Sequence, residues 1–154
     1  MSKPLVYLAG PVRNDVDGGA VWRDDVIDVY SDGVEFVNPL DKYNVPVEGL
    51  SVVGGDSEES NSDTVGVNEI VEGDKEMLEM CDAVLVGYSN VQSIGTPMEV
   101  MWAYERDYPI GIWIRDPQMN PEDLSPWYQY HADFISSQVY DVMVVLEREL
   151  YRNK

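Results

Sequence analysis

Residues 68–114 read NEIVEGDKEMLEMCDAVLVGYSNVQSIGTPMEVMWAYERDYPIGIWI. The pattern is helix, buried strand, glycine-bearing turn, helix, buried strand. Asn68 suits the N-cap of the first helix, which carries Ile70, Val71, Met77, Leu78 and Cys81 at positions expected to face a core. AVLVGY at 83–88 and IGIWI at 110–114 are continuous apolar runs of strand length, the mark of parallel strands covered on both faces. Between them, SIGTP at 93–97 opens a helix over 96–108 that should pack Met98, Met101, Trp102 and Tyr104, and Pro109 stops it. Glu99 falls in the first turn of that helix. In an open parallel sheet such turns line the crevice at the carboxyl ends of the strands, so a carboxylate there is placed to do chemistry. Asp74, between Val71 and Leu78, lies near the packed face of the preceding helix, where an acid is either a satisfied buried group or a functional one.

The flanking sequence extends the same alternation. LVYLA at 5–9 is a buried strand broken by Gly10-Pro11, and residues 12–19 form a loop whose cation is Arg13. A helix over 19–30 should bury Trp22, Val26, Ile27 and Tyr30, with Val21 at the edge. VEFVN at 34–38 is a second strand, stopped by Pro39. After an irregular, proline-bearing loop over 115–126, residues 132–135 form a short fifth strand. Ser137 caps a last helix bearing Val139, Val142, Leu146 and Leu150. Strands alternating with helices predict a single α/β domain: a five-stranded parallel sheet with helices on both faces, in flavodoxin/Rossmann-like order. Residues 45–67 break the pattern. They are rich in Gly, Ser and acids and have no sustained period, and we expect a mobile acidic insert.

Composition narrows the functional classes. The chain has 154 residues and 44% hydrophobic content, enough for one core. It carries 29 acidic against 10 basic residues, a formal net charge of −19. Nucleic-acid grooves need positive surface, so no nucleic-acid partner is expected. An acidic chain with few lysines is what a salt-rich cytoplasm favours, because screening removes most self-repulsion. A halophilic source and a generic acidic surface both fit. No apolar run approaches the roughly 20 residues that cross a bilayer, and the N-terminus lacks a secretory layout; the expected location is cytoplasmic. One cysteine, Cys81, and one histidine, His131, exclude a disulfide framework and a Cys- or His-based metal cluster. Cys81 reads as a small core residue.

The Gly95-Thr96-Pro97 turn offers backbone N–H groups at a helix start, suited to an anion or a sugar hydroxyl. Thr96 and Glu99 also form the T-x-x-E pattern of a capping box, which would make both residues purely structural. Four segments, in matching order, resemble the nucleoside 2-deoxyribosyltransferases and the related 2'-deoxynucleoside 5'-monophosphate N-glycosidases: VYLAGPVR (6–13), NPLDKY (38–43), EGDKEMLEMCDAVLV (72–86) and SIGTPMEVMWAYERDYPIGIW (93–113).

That resemblance implies a mechanism. Glu99 would be the nucleophile on the anomeric carbon of a deoxyribose. Tyr7 would hydrogen-bond and orient it, and Asp74 would handle the proton and position the substrate. Gly10, Arg13, Asp41, Ser93, Gly95, Thr96 and Ser125 would line the substrate site. The implied partners are a deoxynucleoside or deoxynucleotide and a free nucleobase, with no cofactor or metal and a homodimer or larger assembly. Two outcomes stay open, transfer to a second base or hydrolysis by water. Six positions before Glu99 the transferases carry a base-contacting aspartate; here Ser93 stands there, as in the monophosphate hydrolases, whose second phosphate serine Ser125 resembles. NPLDKY, with Asp41, looks more like the transferases. A reading of another class is a non-catalytic nucleotide-binding module on the same fold.

Overall fold

The computed structural model describes residues 2–13, 15–43, 51–53 and 64–152. In chain order the elements are β1 (Leu5–Ala9), α1 (Ala20–Tyr30), β2 (Glu35–Val37), β3 (Ser51–Val53), β4 (Thr64–Gly66), α2 (Val67–Met80), β5 (Ala83–Tyr88), α3 (Gly95–Glu105), β6 (Ile110–Ile114), α4 (Pro126–His131), β7 (Phe134–Ser136) and α5 (Val139–Arg152). Short 3₁₀ turns sit at Pro39–Lys42 and Pro121–Asp123. Five strands form a parallel sheet in the order β2-β1-β5-β6-β7, the flavodoxin-like order expected from the sequence. The chain turns to opposite sides of β1 and β5, and the carboxyl ends of these two strands bound the crevice where such folds bind ligands.

Strand alternation sorts the core into two layers. Val6 and Leu8 of β1 pack with Trp22 and Val26 of α1 and with Val142, Met143, Leu146 and Leu150 of α5. Tyr7 and Ala9 point the other way, toward Leu78 of α2 and Val100 and Ala103 of α3. In α5, Val142, Leu146 and Leu150 recur every fourth residue, and all are buried. No helix among the described residues is long and apolar enough to cross a membrane.

Several local expectations change. α3 turns Thr96, Val100 and Ala103 to the sheet and leaves Met98 and Tyr104 exposed, because small residues let the helix lie close to β5 and β6 while bulky ones flank the contact. Val71 of α2 is likewise exposed. α2 starts at Val67 directly after β4, so Gly66 rather than Asn68 is its N-cap. β7 is Phe134–Ser136, beginning later than expected because Ala132 closes α4. Within the acidic insert, β3 pairs parallel with β4, a two-stranded element invisible to periodicity because each strand is three residues long. The expected mobility of residues 56–63 falls outside the described residues. Cys81 is buried, its thiol donating to the Met77 carbonyl at 3.2 Å, and burial pushes its pKa up to about 12.

Candidate active site

Four elements bring one group each to the carboxyl edge of β1. Tyr7 projects from β1 into the α2/α3 layer with 1% of its surface exposed. Its hydroxyl donates to Glu99 Oε2 at 2.5 Å. Glu99 comes from the start of the second turn of α3, Asp74 from the middle of α2, and Lys42 from the 3₁₀ turn after β2, where its ammonium pairs with Asp74 Oδ1. All four line one cavity of about 690 Å³, together with the predicted Gly10, Arg13, Ser93, Gly95 and Thr96. Asp41 and Ser125 do not. Asp41 is exposed, while its neighbours Leu40 and Lys42 on the same 3₁₀ turn line the cavity. Ser125 caps α4, accepting the Trp127 N–H at 3.3 Å, and lines a neighbouring cavity of about 560 Å³.

The helix-capping reading of Thr96 and Glu99 does not hold. The N-cap of α3 is Ile94, two residues before Thr96, and it makes no side-chain cap. The Thr96 hydroxyl shares a 2.8 Å hydrogen bond with Ser93 Oγ, which also accepts the Thr96 N–H. The partner of Glu99 is instead Tyr7, 92 positions away in the chain.

The electrostatics follow from two carboxylates in one partly dry wall. Burial and then the Asp74 charge push Glu99 from 4.5 up to about 7, against the Tyr7 hydrogen bond and the cations Arg23 and Lys42. Burial also raises Asp74, with Lys42 opposing it. Burial and the two acids raise Tyr7, so its hydroxyl stays protonated and remains a donor. Glu99 thus ionises near neutral pH, where it can act either as a carboxylate or as a proton carrier.

Arg23 was not foreseen as part of the site. It sits on the buried face of α1, fully enclosed, and donates to the carbonyls of Leu8 (3.2 Å), Gly10 (3.0 Å) and Gly19 (2.9 Å). Burial lowers it to about 10, while Tyr7 and Glu99 favour its charge. It holds the end of β1 to the start of α1 and keeps a positive charge behind the acids. Its signal in the sequence was an arginine among the apolar positions of an amphipathic helix. Gly19 takes φ 78° here, a conformation natural to glycine. A second arginine, Arg115 at the end of β6, pairs with Asp15 at 2.5 Å and bonds Ser89 and Gly87, pinning the β1–α1 loop from the other side. Both guanidinium groups lie over the Trp22 ring, at 4.6 Å (Arg23) and 5.2 Å (Arg115) from its centroid, and Trp22 stands edge-on to Trp113. A Cβ at Gly87 would meet its ring at 2.6 Å, so Trp22 is a packing element and not a base-stacking platform.

No protein-family model matches the sequence, and no curated protein matches it. Among solved structures, the chain superposes on a conserved protein from Enterococcus faecalis V583 with TM-score 0.62 and 12% identity, covering 96% of this chain and 99% of that one. It also superposes on a 2-deoxyribosyltransferase from the psychrotolerant bacterium Bacillus psychrosaccharolyticus with TM-score 0.52 and 15% identity, covering 82% and 90%. At these identities the likeness is one of fold.

Proposed function

We propose that this protein breaks the N-glycosidic bond of a 2'-deoxynucleoside through a covalent sugar ester on Glu99, and passes the sugar to a second base. The observation that carries this reading is the 2.5 Å hydrogen bond from Tyr7 to one oxygen of Glu99 at the crevice of the sheet. That bond fixes the carboxylate and leaves Oε1 to attack. In the first step Oε1 bonds to the anomeric carbon as the carbon–nitrogen bond breaks, and the electron pair and a proton go to the departing base. The negative charge of Glu99 itself meets the positive charge developing on the sugar, and the neighbouring Asp74, paired with Lys42, positions the substrate. In the second step an acceptor base nitrogen bonds to the anomeric carbon as the ester bond to Oε1 breaks, and the proton that this nitrogen loses to solvent balances the one the first base took from it. The fold shared with a 2-deoxyribosyltransferase supports the same reading.

A second reading has water as the acceptor and a 5'-monophosphate as the substrate. Arg13 and Ser93 favour it, since both line the cavity while the base-contacting candidate Asp41 does not. Chromatography of reactions with deoxynucleosides and with their monophosphates, with and without a second base, separates the two. A new deoxynucleoside that requires the added base supports transfer; free base from monophosphates alone supports hydrolysis. Intact-mass detection of a sugar adduct that Glu99→Ala abolishes, with activity falling at least about 10³-fold, supports either. Full activity in Glu99→Ala removes both.

A further inference from the structure

Three cations line the cavity, and they differ in what holds them. Arg23 is committed to backbone carbonyls, and Arg13 is exposed at the rim. Lys42 is built to meet Asp74. Its 3₁₀ turn is fixed by the buried Asn38, whose side-chain oxygen accepts the Leu40 N–H at 3.0 Å, by Pro39 in the first position, and by the Tyr43 N–H closing on the Leu40 carbonyl. The lysine stem then crosses α2 at Gly73, where a Cβ would stand 3.1 Å from Lys42 Cδ. A glycine in a helix interior is destabilising against alanine, and here the missing side chain is the space the stem occupies. Lys42 and Asp74 are only 14% and 26% exposed, so their pairing is weakly screened.

We propose that Lys42 is a positioning residue for the reaction: it holds the Asp74 carboxylate in place and cancels its charge, so that Glu99 carries the reactive negative charge. This rests on the reading of Glu99 as nucleophile. The groups facing Glu99 are Tyr7 from β1, Arg23 from α1, Asp74 from α2, Lys42 from the 3₁₀ turn, and the phenols of Tyr43 and Tyr128. Both phenols titrate near 12, so they stay neutral. Arg23 is locked by its carbonyls, so its contribution is the same in every variant. The adjustable charge is Asp74, and Lys42 governs it.

The test needs no substrate. The side-chain carboxyl carbon of Glu99, identified by its loss in Glu99→Gln, is titrated by NMR in the wild type, Lys42→Met, Lys42→Gln and Lys42→Arg. The wild-type midpoint should lie at about 7. Lys42→Met and Lys42→Gln should raise it by about one pH unit, and Lys42→Arg should restore it. Adding Asp74→Asn to Lys42→Met should bring the midpoint back down, since the uncompensated charge is gone. A Glu99 midpoint unmoved by both neutral substitutions, in protein with native amide spectra, overturns the proposal. So does an equal rise in the Asp74→Asn background. If the nucleoside reading fails, activity is absent in every variant while these titrations still decide the role of Lys42; if both hold, the acid limb of kcat/KM moves with the midpoint.

Discussion

Tyr7 and Leu8 are adjacent, equally buried and on the same strand, yet they belong to different kinds of structure. Leu8 faces the α1/α5 layer, where its side chain packs among apolar groups that fit by shape and the one buried charge, Arg23, is committed to backbone carbonyls. Tyr7 faces the α2/α3 layer, and its hydroxyl reaches a carboxylate that lies beside a second carboxylate and an ammonium. The first layer contributes stability through burial. The second gives some of it up, because a shielded Glu99 is costly to ionise. One sheet thus has a scaffold face and a chemical face, and the division follows the two-residue period of the strand.

The comparison can be broken in three places. The largest effect should come from Leu8→Ala, which removes a fully enclosed side chain and should lower stability by about 3 kcal/mol. Chemical denaturation measures that loss, while activity per folded molecule should be unchanged; a selective loss of activity would mean that the scaffold face also shapes the site. The next should come from Glu99→Gln. With a folded pKa of about 7 against 4.5 when solvated, the native state binds the extra proton. Wild-type stability therefore falls as pH rises from 4.5 to about 7. The glutamine variant escapes this and should be more stable than wild type by about 3 kcal/mol at most above neutrality, with the gap closing toward acid. Denaturation midpoints that give a pH-independent gap would contradict the shielding of Glu99. The smallest should come from Tyr7→Phe, which keeps the ring and removes only the donor. Losing a hydrogen bond to a charged group should lower kcat/KM at least about tenfold. It should also move the acid limb of the rate profile upward, since the Tyr7 bond favours ionised Glu99. A rate profile unchanged in height and position would remove Tyr7 from the site.

The sequence by itself determined the sheet. Continuous apolar runs at β1, β5 and β6, separated by helical periods, admit few arrangements other than a covered parallel sheet, and right-handed crossovers set the rest. It also put Glu99 close behind a strand-to-helix turn at the carboxyl edge, where such turns lie in parallel sheets, though α3 starts early enough to carry Glu99 into its second turn. Periodicity stopped being informative where elements were three residues long, as in β3 and β4, and where the helix α3 chose small residues for its contact. Only the tertiary structure decided what each polar group does. Thr96 with Glu99 looked like a local cap until β1 brought Tyr7 to the carboxylate. Lys42 stood in the NPLDKY segment without a role until α2 offered Gly73 to its stem and Asp74 to its charge. Arg23 had no role along the chain until three carbonyls closed around it. Hydrophobic pattern is a property of neighbours in sequence, so it can be read along the chain. Charge pairing and shielding depend on distances between elements, and those exist only once the chain has folded.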